Sequence, residues 1–277
     1  MKKYIAEKEQ TLKDFTDEHY AQGSFAYARL LRSRDVRVNG ERCGSNRTLH
    51  AGDEVVYYTT PKEESRPVCT TLFCDENVLV ADKFSGVNAE ALYAYLREER
   101  SDLRFIHRLD RNTCGVMVFA RNDTAEAELL SAFREHRVDK RYQVLCFHPF
   151  SRNRADLTAY LKKDEAHARV AVYEKPCRGA EKITTSYEVK QNHGEYSLVE
   201  VQLHSGKTHQ IRAHLAFIGN PVAGDEKYGD EALNQKYHVK RHILVAKSLC
   251  FTGLNQLSYL NGICFSSSFC AELPHRP

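Results

Sequence analysis

From residue 68 onward, short apolar runs recur between turn signals, and this series limits the fold more than any other feature of the 277-residue chain. VCTTLFCD and VLVADK flank Asp75-Glu76-Asn77 and read as a strand pair, GVMVFA adds an apolar strand, and RYQVLCF at 141–147 is another. ADLTAYLK and HARVAVYE bracket a turn around Lys163 and Asp164 as a hairpin. TTSYEVKQ and YSLVEVQLHSG are joined through Asn192-His193-Gly194, and the second alternates apolar and polar residues. Helical patterns fall in between. Asn88 caps a helix with Leu92 and Leu96 inward, residues 124–136 carry Ala125, Leu129 and Phe133, and residues 208–217 turn Ile211 and Leu215 inward before Gly219 stops them. Strands in hairpin order with helices interspersed predict an α+β fold on a largely antiparallel sheet.

Ahead of this region lies a smaller unit. Residues 1–9 read as an N-terminal arm, 10–58 as a compact domain, 59–67 as a linker, and 68–277 as the main domain. TLKDFTDEHY predicts a first helix with Leu12 and Phe15 on one face. SFAYARLLRSR predicts a second, with Phe25, Ala28 and Leu31 buried. A strand at Val36–Val38 turns at Asn39-Gly40, and after a further turn at Gly52-Asp53, EVVYY closes the unit. TTPKEESRP is charged and bounded by prolines, so the small domain is expected to be free to reorient. Arg29, Arg32, Arg34 and Arg37 place four arginines in nine residues against one acid, Asp35. Their planar donors suit phosphate oxygens, with Tyr27 beside them to stack on a base, although a solvated helix face has the same composition.

A net charge of +3 permits a nucleic-acid partner without indicating one, because clustering of basic residues decides that. No window approaches eighteen apolar residues, and MKKYIAEKEQ has positive charge without an apolar run, so neither a membrane span nor a secretory signal is expected. Nine cysteines, an odd number with no C-x-x-C pair, fit a reducing cytoplasm and speak against a disulfide framework or a structural zinc site.

The chemistry points to FIHRLDRNTCG at 105–115, where Asp110 lies between Arg108 and Arg111. Nearby positive charge keeps a carboxylate ionised, as a nucleophile or general base requires, but the same pattern also makes structural ion pairs. This string closely resembles the HRLD-x-x-T-S-G signature of the RluA family of RNA pseudouridine synthases. HSGKTHQIRAHLAFIGNPVAGDEKYG at 204–229 resembles that family's second motif. The order helix, helix, VRVNG and L-x-x-GDEVVYY resembles the S4 RNA-binding domain that precedes many of its members.

The resemblance implies a mixed, largely antiparallel sheet flanked by helices, preceded by a small S4-like α/β domain. It implies cleavage of the uridine N1–C1′ bond, rotation of the uracil and closure of a C5–C1′ bond, with no cofactor and no metal. Asp110 is then the reactive residue, by addition at C1′ or proton abstraction at C2′. Arg212 is its positive partner, Tyr142 the base-facing ring, and Ile211 a pocket residue. His107, Arg108, Arg111, Lys140, Lys207 and His209 are candidates for substrate contact, and Arg141, Arg152 and Arg154 extend the basic cluster. Cys114 replaces the family's usual serine, and NQLSYLNGICF lacks the usual histidine-proline. The expected partner is structured RNA, ribosomal favoured over transfer RNA, and the expected enzyme is a cytoplasmic monomer. Two other readings are a non-catalytic RNA-binding or ribosome-assembly protein, and a hydrolase using Asp225 or Glu226 as a second acid.

Overall fold

The computed structural model describes residues 1–164 and 169–274 and has the α+β architecture that the strand pattern predicts. The N-terminal unit comprises β1 (Lys2–Ile5), β2 (Gln10–Thr11), α1 (Leu12–His19), α2 (Ala21–Arg32), β3 (Val36–Val38), β4 (Glu41–Cys43), β5 (Thr48–Leu49) and β6 (Glu54–Tyr57). Thr11 caps α1 by accepting from the Asp14 N–H. Asn39 and Gly40 both take positive φ, as a tight two-residue hairpin between β3 and β4 requires. Leu12, Phe15, Leu30, Val36, Val55 and Tyr57 form the unit's own core.

Three expectations for this half are corrected. Residues 2–5 are not a free arm, because β1 pairs antiparallel with β6 and so belongs to the sheet β1-β6-β3-β4. The inner side of α2 is Ala26, Tyr27 and Leu30, with Leu31 packed at its edge, whereas Ala28 is exposed and Phe25 lies elsewhere. Phe25 turns the other way, toward the main unit, because α2 is packed on two sides. The linker is not loose either. Pro61–Glu64 form a helical turn, α3, with a capping box at Thr60, and Tyr20 and Arg29 bond to Glu64 and Glu63.

These contacts hold the small unit in place and overturn the expected freedom to reorient. Ala21 of α2 is buried in one apolar cluster with Val68, Leu79, Val87 and Leu92 of the main unit, and Phe25 packs against it. Arg66 lies 3.8 Å above the Phe25 ring. Full burial of one Leu, Val or Phe side chain contributes roughly 1.5–3 kcal/mol, so even a small shared cluster resists separation.

The main unit continues with β7 (Cys69–Cys74), β8 (Val78–Lys83), α4 (Ala89–Arg97), β9 (Arg104–Phe105), β10 (Cys114–Ala120), α5 (Asp123–Arg134), β11 (Val138–Phe147), β12 (Arg154–Asp164) and β13 (Arg169–Tyr173). It is completed by β14 (Glu181–Asn192), β15 (Tyr196–Leu203), α6 (Gln210–Phe217), α7 (Glu231–Lys236), β16 (Leu244–Phe251) and β17 (Cys264–Ser266). The sheet has 11 strands, ordered β13-β12-β14-β15-β11-β16-β10-β8-β7, with β17 on β16 and β9 on β10. Among the described strand pairs of this sheet, β10 and β16 run parallel and the others antiparallel. None of the described helices is long and apolar enough to cross a membrane.

The sequence of β10 follows from its place in the middle. Val116, Val118 and Ala120 join the core under α5, while Met117 and Phe119 join the core under α4, so an unbroken apolar run replaces alternation. Where β10 meets β16, Gly115 has φ +120°, and a Cβ there would lie 2.2 Å from the Ala246 carbonyl oxygen. Glycine is the residue that lets the two strands pair at this point, directly after the Asp110 segment.

Two further expectations change. Lys163 and Asp164 are strand residues paired with Val170 and Arg169 and do not themselves turn, while 165–168 lie outside the described residues. Cys250 and Cys264 face each other across β16 and β17 and form a disulfide, where the cysteine pattern speaks against a disulfide framework. Their separation of 14 residues carries no signal until the strand register brings them together.

Candidate active site

The loop between β9 and β10 carries the HRLDR sequence. Leu109 is buried in the core beneath α4, which leaves the next residue, Asp110, facing out into a cleft. The Thr113 N–H closes the loop onto the Asp110 carbonyl at 3.0 Å, and the Thr113 hydroxyl meets His242 Nε2 at 3.0 Å. From the opposite wall, α6 brings Arg212, which is almost fully buried. Its Nη1 donates to Asp110 Oδ2 at 2.8 Å, while Nε and Nη2 hold Asp225 in a fork at 2.6 and 3.0 Å.

This arrangement sets the charge of Asp110. Burial opposes ionisation, but the positive field of His209 and Arg212 and the hydrogen bond from Arg212 outweigh it and hold the carboxyl below its usual range. Burial lowers the basicity of His209 and takes that of His242 down to about 4, so near neutrality Arg212 supplies the field. Burial likewise raises the cost of the Asp225 charge, yet the Arg212 hydrogen bonds and charge keep that carboxyl depressed too. Asp225 Oδ1 also accepts from the Lys227 and Tyr228 amides. A carboxylate so committed holds an arginine in place and cannot serve as the protonated second acid of a hydrolase.

Tyr142 of β11 lines the same cleft, at a point where the pairing of β11 with β16 shifts register between Arg141 and Tyr142. Burial, and then the Asp110 charge, push its phenol far above the ordinary range, so it stays neutral. Ile211, next to Arg212 on α6, is buried between the cleft and the core that includes Val144 and Leu244. His209 precedes α6 with φ +53°, a strained conformation for a residue with a side chain. Its Nδ1 meets the Tyr228 hydroxyl at 3.0 Å and its Nε2 lies 3.9 Å from Asp110. The same hydroxyl accepts from the Val170 N–H at 2.8 Å, which ties the His209 side chain to β13.

The cleft encloses about 340 Å³ and is lined by Asp110, Arg212, Tyr142, Ile211, His107, Arg108, Lys140, Lys207 and His209. Its apolar lining comes from Ile106, Phe133, Leu203 and Leu244. The space is of the size that holds one small ligand. A single ionised carboxylate, its guanidinium, a neutral phenol and an apolar wall can accept a flat polar ring and act on an atom beside it. Among the described residues no group of three or more His, Cys, Asp and Glu is placed to hold a metal ion.

A family model described as RNA pseudouridylate synthase matches residues 76–217. The chain belongs to this family. An uncharacterized RNA pseudouridine synthase of Mycoplasma pneumoniae is 32% identical, over 84% of this chain and 82% of its own. The ribosomal large subunit pseudouridine synthase C of Salmonella typhimurium is also 32% identical, over 81% of this chain and 79% of its own. The human RNA Pseudouridylate Synthase Domain Containing 1 has a similar fold, with a TM-score of 0.61 at 24% identity, covering 72% of this chain and 81% of that one.

Within this RNA pseudouridine synthase, several expected contact residues are otherwise engaged. Arg108 pairs with Glu90 at 3.1 Å, and Arg111 turns out of the cleft to Asp17 at 2.5 Å. Neither is the partner of Asp110. His107 stacks on Phe133 and accepts from the Val118 N–H at 3.1 Å, with its basicity lowered to about 3 by burial and then by Lys140. A ring so held is neutral and braces the loop while also lining the cleft. Lys207 pairs with Glu181 at the lip, while Lys140, lying 5.8 Å from the Phe133 ring, has no ion pair among the described residues.

Of the basic surface residues, Arg29 is bound to Asp35 and Glu63, Arg141 to Asp139 and Glu200, and Arg154 to Glu188. Arg32, Arg34 and Arg152 are exposed, and Arg37 stacks on Tyr58 at 5.3 Å. Tyr27 is buried with its hydroxyl on Asn46, so it cannot stack on a base. Sequence reasoning missed Lys83, fully buried with its amine on the carbonyls of Phe84, Val87 and Arg111, and lowered by burial to about 7. The one available signal was a lysine ending the apolar strand VLVADK.

Proposed function

We propose that the synthase isomerises uridine in structured RNA of the large ribosomal subunit through Asp110. The observation that carries this reading is the Asp110–Arg212 contact of 2.8 Å at the wall of an apolar cleft that Tyr142 also lines. An ionised carboxylate here can add to C1′ or take the C2′ proton, and Arg212 orients it for either. Tyr142 and Ile211 offer a flat apolar surface for the uracil, which must leave the RNA stack to reach Asp110. As a neutral phenol, Tyr142 serves by stacking and hydrogen bonding. Lys140 and Lys207 stand at the cleft where flanking phosphates would lie, Lys207 after exchanging Glu181 for phosphate.

The choice of ribosomal over transfer RNA follows the relatives named as ribosomal large subunit synthases. The N-terminal unit, read as S4-like, supplies an anchor suited to a large substrate through Arg32, Arg34 and Arg37, with Arg29 reserved for its acidic partners. We infer a cytoplasmic monomer: seven free cysteines fit a reducing compartment, with the Cys250–Cys264 disulfide the exception. Mapping pseudouridines in RNA from cells with and without the gene tests the target. Loss of specific large-subunit sites is expected; loss confined to transfer RNA would reassign the substrate, and no loss anywhere would refute the reading.

A further inference from the structure

Arg111 follows Asp110 directly, yet its side chain lies outside the cleft and reaches the N-terminal unit. Its Nη1 donates to Asp17 Oδ2 on α1 at 2.5 Å, and its Nη2 to the Ser24 carbonyl on α2 at 3.4 Å. Nε donates to the Gly86 carbonyl at 3.2 Å. The backbone of Arg111 is held as firmly, since its carbonyl accepts from the Gly86 N–H at 2.9 Å and from the Lys83 amine at 3.2 Å. Asp17, its side chain only 13% exposed, is also gripped by Lys13. Three parts of the molecule therefore converge on the residue beside Asp110: the small unit, the segment after β8 and the loop itself.

We propose that Arg111 and Asp17 form a latch through which the docked N-terminal unit holds the Asp110 loop in its reactive geometry. Arg111 is then a positioning residue, and the small unit contributes to the rate of the bound complex as well as to RNA affinity. An RNA anchor alone would alter KM and leave kcat unchanged. The electrostatics favour the latch: two cations face one carboxylate, so neutralising Asp17 leaves Lys13 and Arg111 in mutual repulsion and drives Arg111 from its seat. Arg111 then keeps only its backbone bonds to Gly86 and Lys83, and the loosening reaches Asp110, the adjacent residue.

The inference rests on the isomerase reading for its kinetic consequence, so the full-length protein is examined by two measurements, one independent of activity. Amide hydrogen exchange is followed by mass spectrometry over residues 106–113 in the wild type, Asp17→Asn, Asp17→Glu and Arg111→Gln. C5-tritium release from uridine-labelled RNA gives kcat and KM. Faster exchange in that loop is expected for Asp17→Asn and Arg111→Gln, with protection largely kept by Asp17→Glu. A kcat loss of about tenfold, with KM little changed, is expected for the first two, the size of one charge-assisted hydrogen bond. Arg111→Gln reads the contact from the other side should Asp17→Asn fold poorly. Unchanged loop exchange in a folded variant, or a loss confined to KM, would overturn the latch. A wild type with a protected loop and no tritium release would support the latch as a structural contact and refute the isomerase reading.

Discussion

One guanidinium serves two carboxylates at this site, and the division of labour is geometric. Asp225 takes the fork at Nε and Nη2, leaving Nη1 aimed at Asp110. Removing Arg212 outright would leave Asp225 buried and unpaired, a loss of about 3–5 kcal/mol in stability, so Arg212→Lys is the more informative replacement. A point charge cannot reproduce the fork, and the maximal rate of uridine isomerisation should fall about a hundredfold. The pH profile should move as well. In the wild type, the depressed carboxyl keeps Asp110 ionised, and activity is lost only as pH falls through that lowered value. With the field weakened, its pKa rises and the acid limb shifts to higher pH. Single-turnover rates from well below pH 4 up to pH 8 check both effects, and an unchanged limb would remove Arg212 from this role. That Asp110, Tyr142 and Arg212 share one cleft was legible through the resemblance of their surroundings to a family's motifs. The links Asp225–Arg212, Thr113–His242 and Lys83–Arg111 were not, since nothing in their sequence neighbourhoods names a partner so distant.

Among the elements, strands and helices were legible in outline because their signals are local: Asn88 at a helix start, alternation in β15, apolar continuity in β10. Pairing was less so. An apolar run shows that both faces are covered without naming its neighbour, and the parallel contact of β10 with β16 emerges only from the register. Gly115 makes that contact feasible. Gly115→Ala should cost about 3 kcal/mol or more, since the added carbon meets the Ala246 backbone and φ is unfavourable as well. Gly219→Ala, at φ +87° with nothing within 4 Å, should cost only about 1–2 kcal/mol. Urea unfolding measures both, and equal losses would contradict the steric argument.

For the molecule as a whole, the sequence led to two units and a loose joint, whereas the joint is packed. The reason lies in α2, which carries one apolar face for its own core and presents Ala21 and Phe25 to the other; a single face drawn through Phe25, Ala28 and Leu31 mixes the two. A docked unit fixes exposed Arg32 and Arg34 and half-buried Arg37 relative to the cleft, and under the proposed anchoring role that sets the reach from anchor to Asp110. All of this organisation converges on one carboxylate. RNA labelled with tritium at uridine C5 should lose its label to solvent with the wild type. Asp110→Asn, which removes the charge but hardly alters the shape, should lower release by at least about a thousandfold while still binding RNA. Release by Asp110→Asn at the wild-type rate would contradict the assignment of Asp110 as the reacting group.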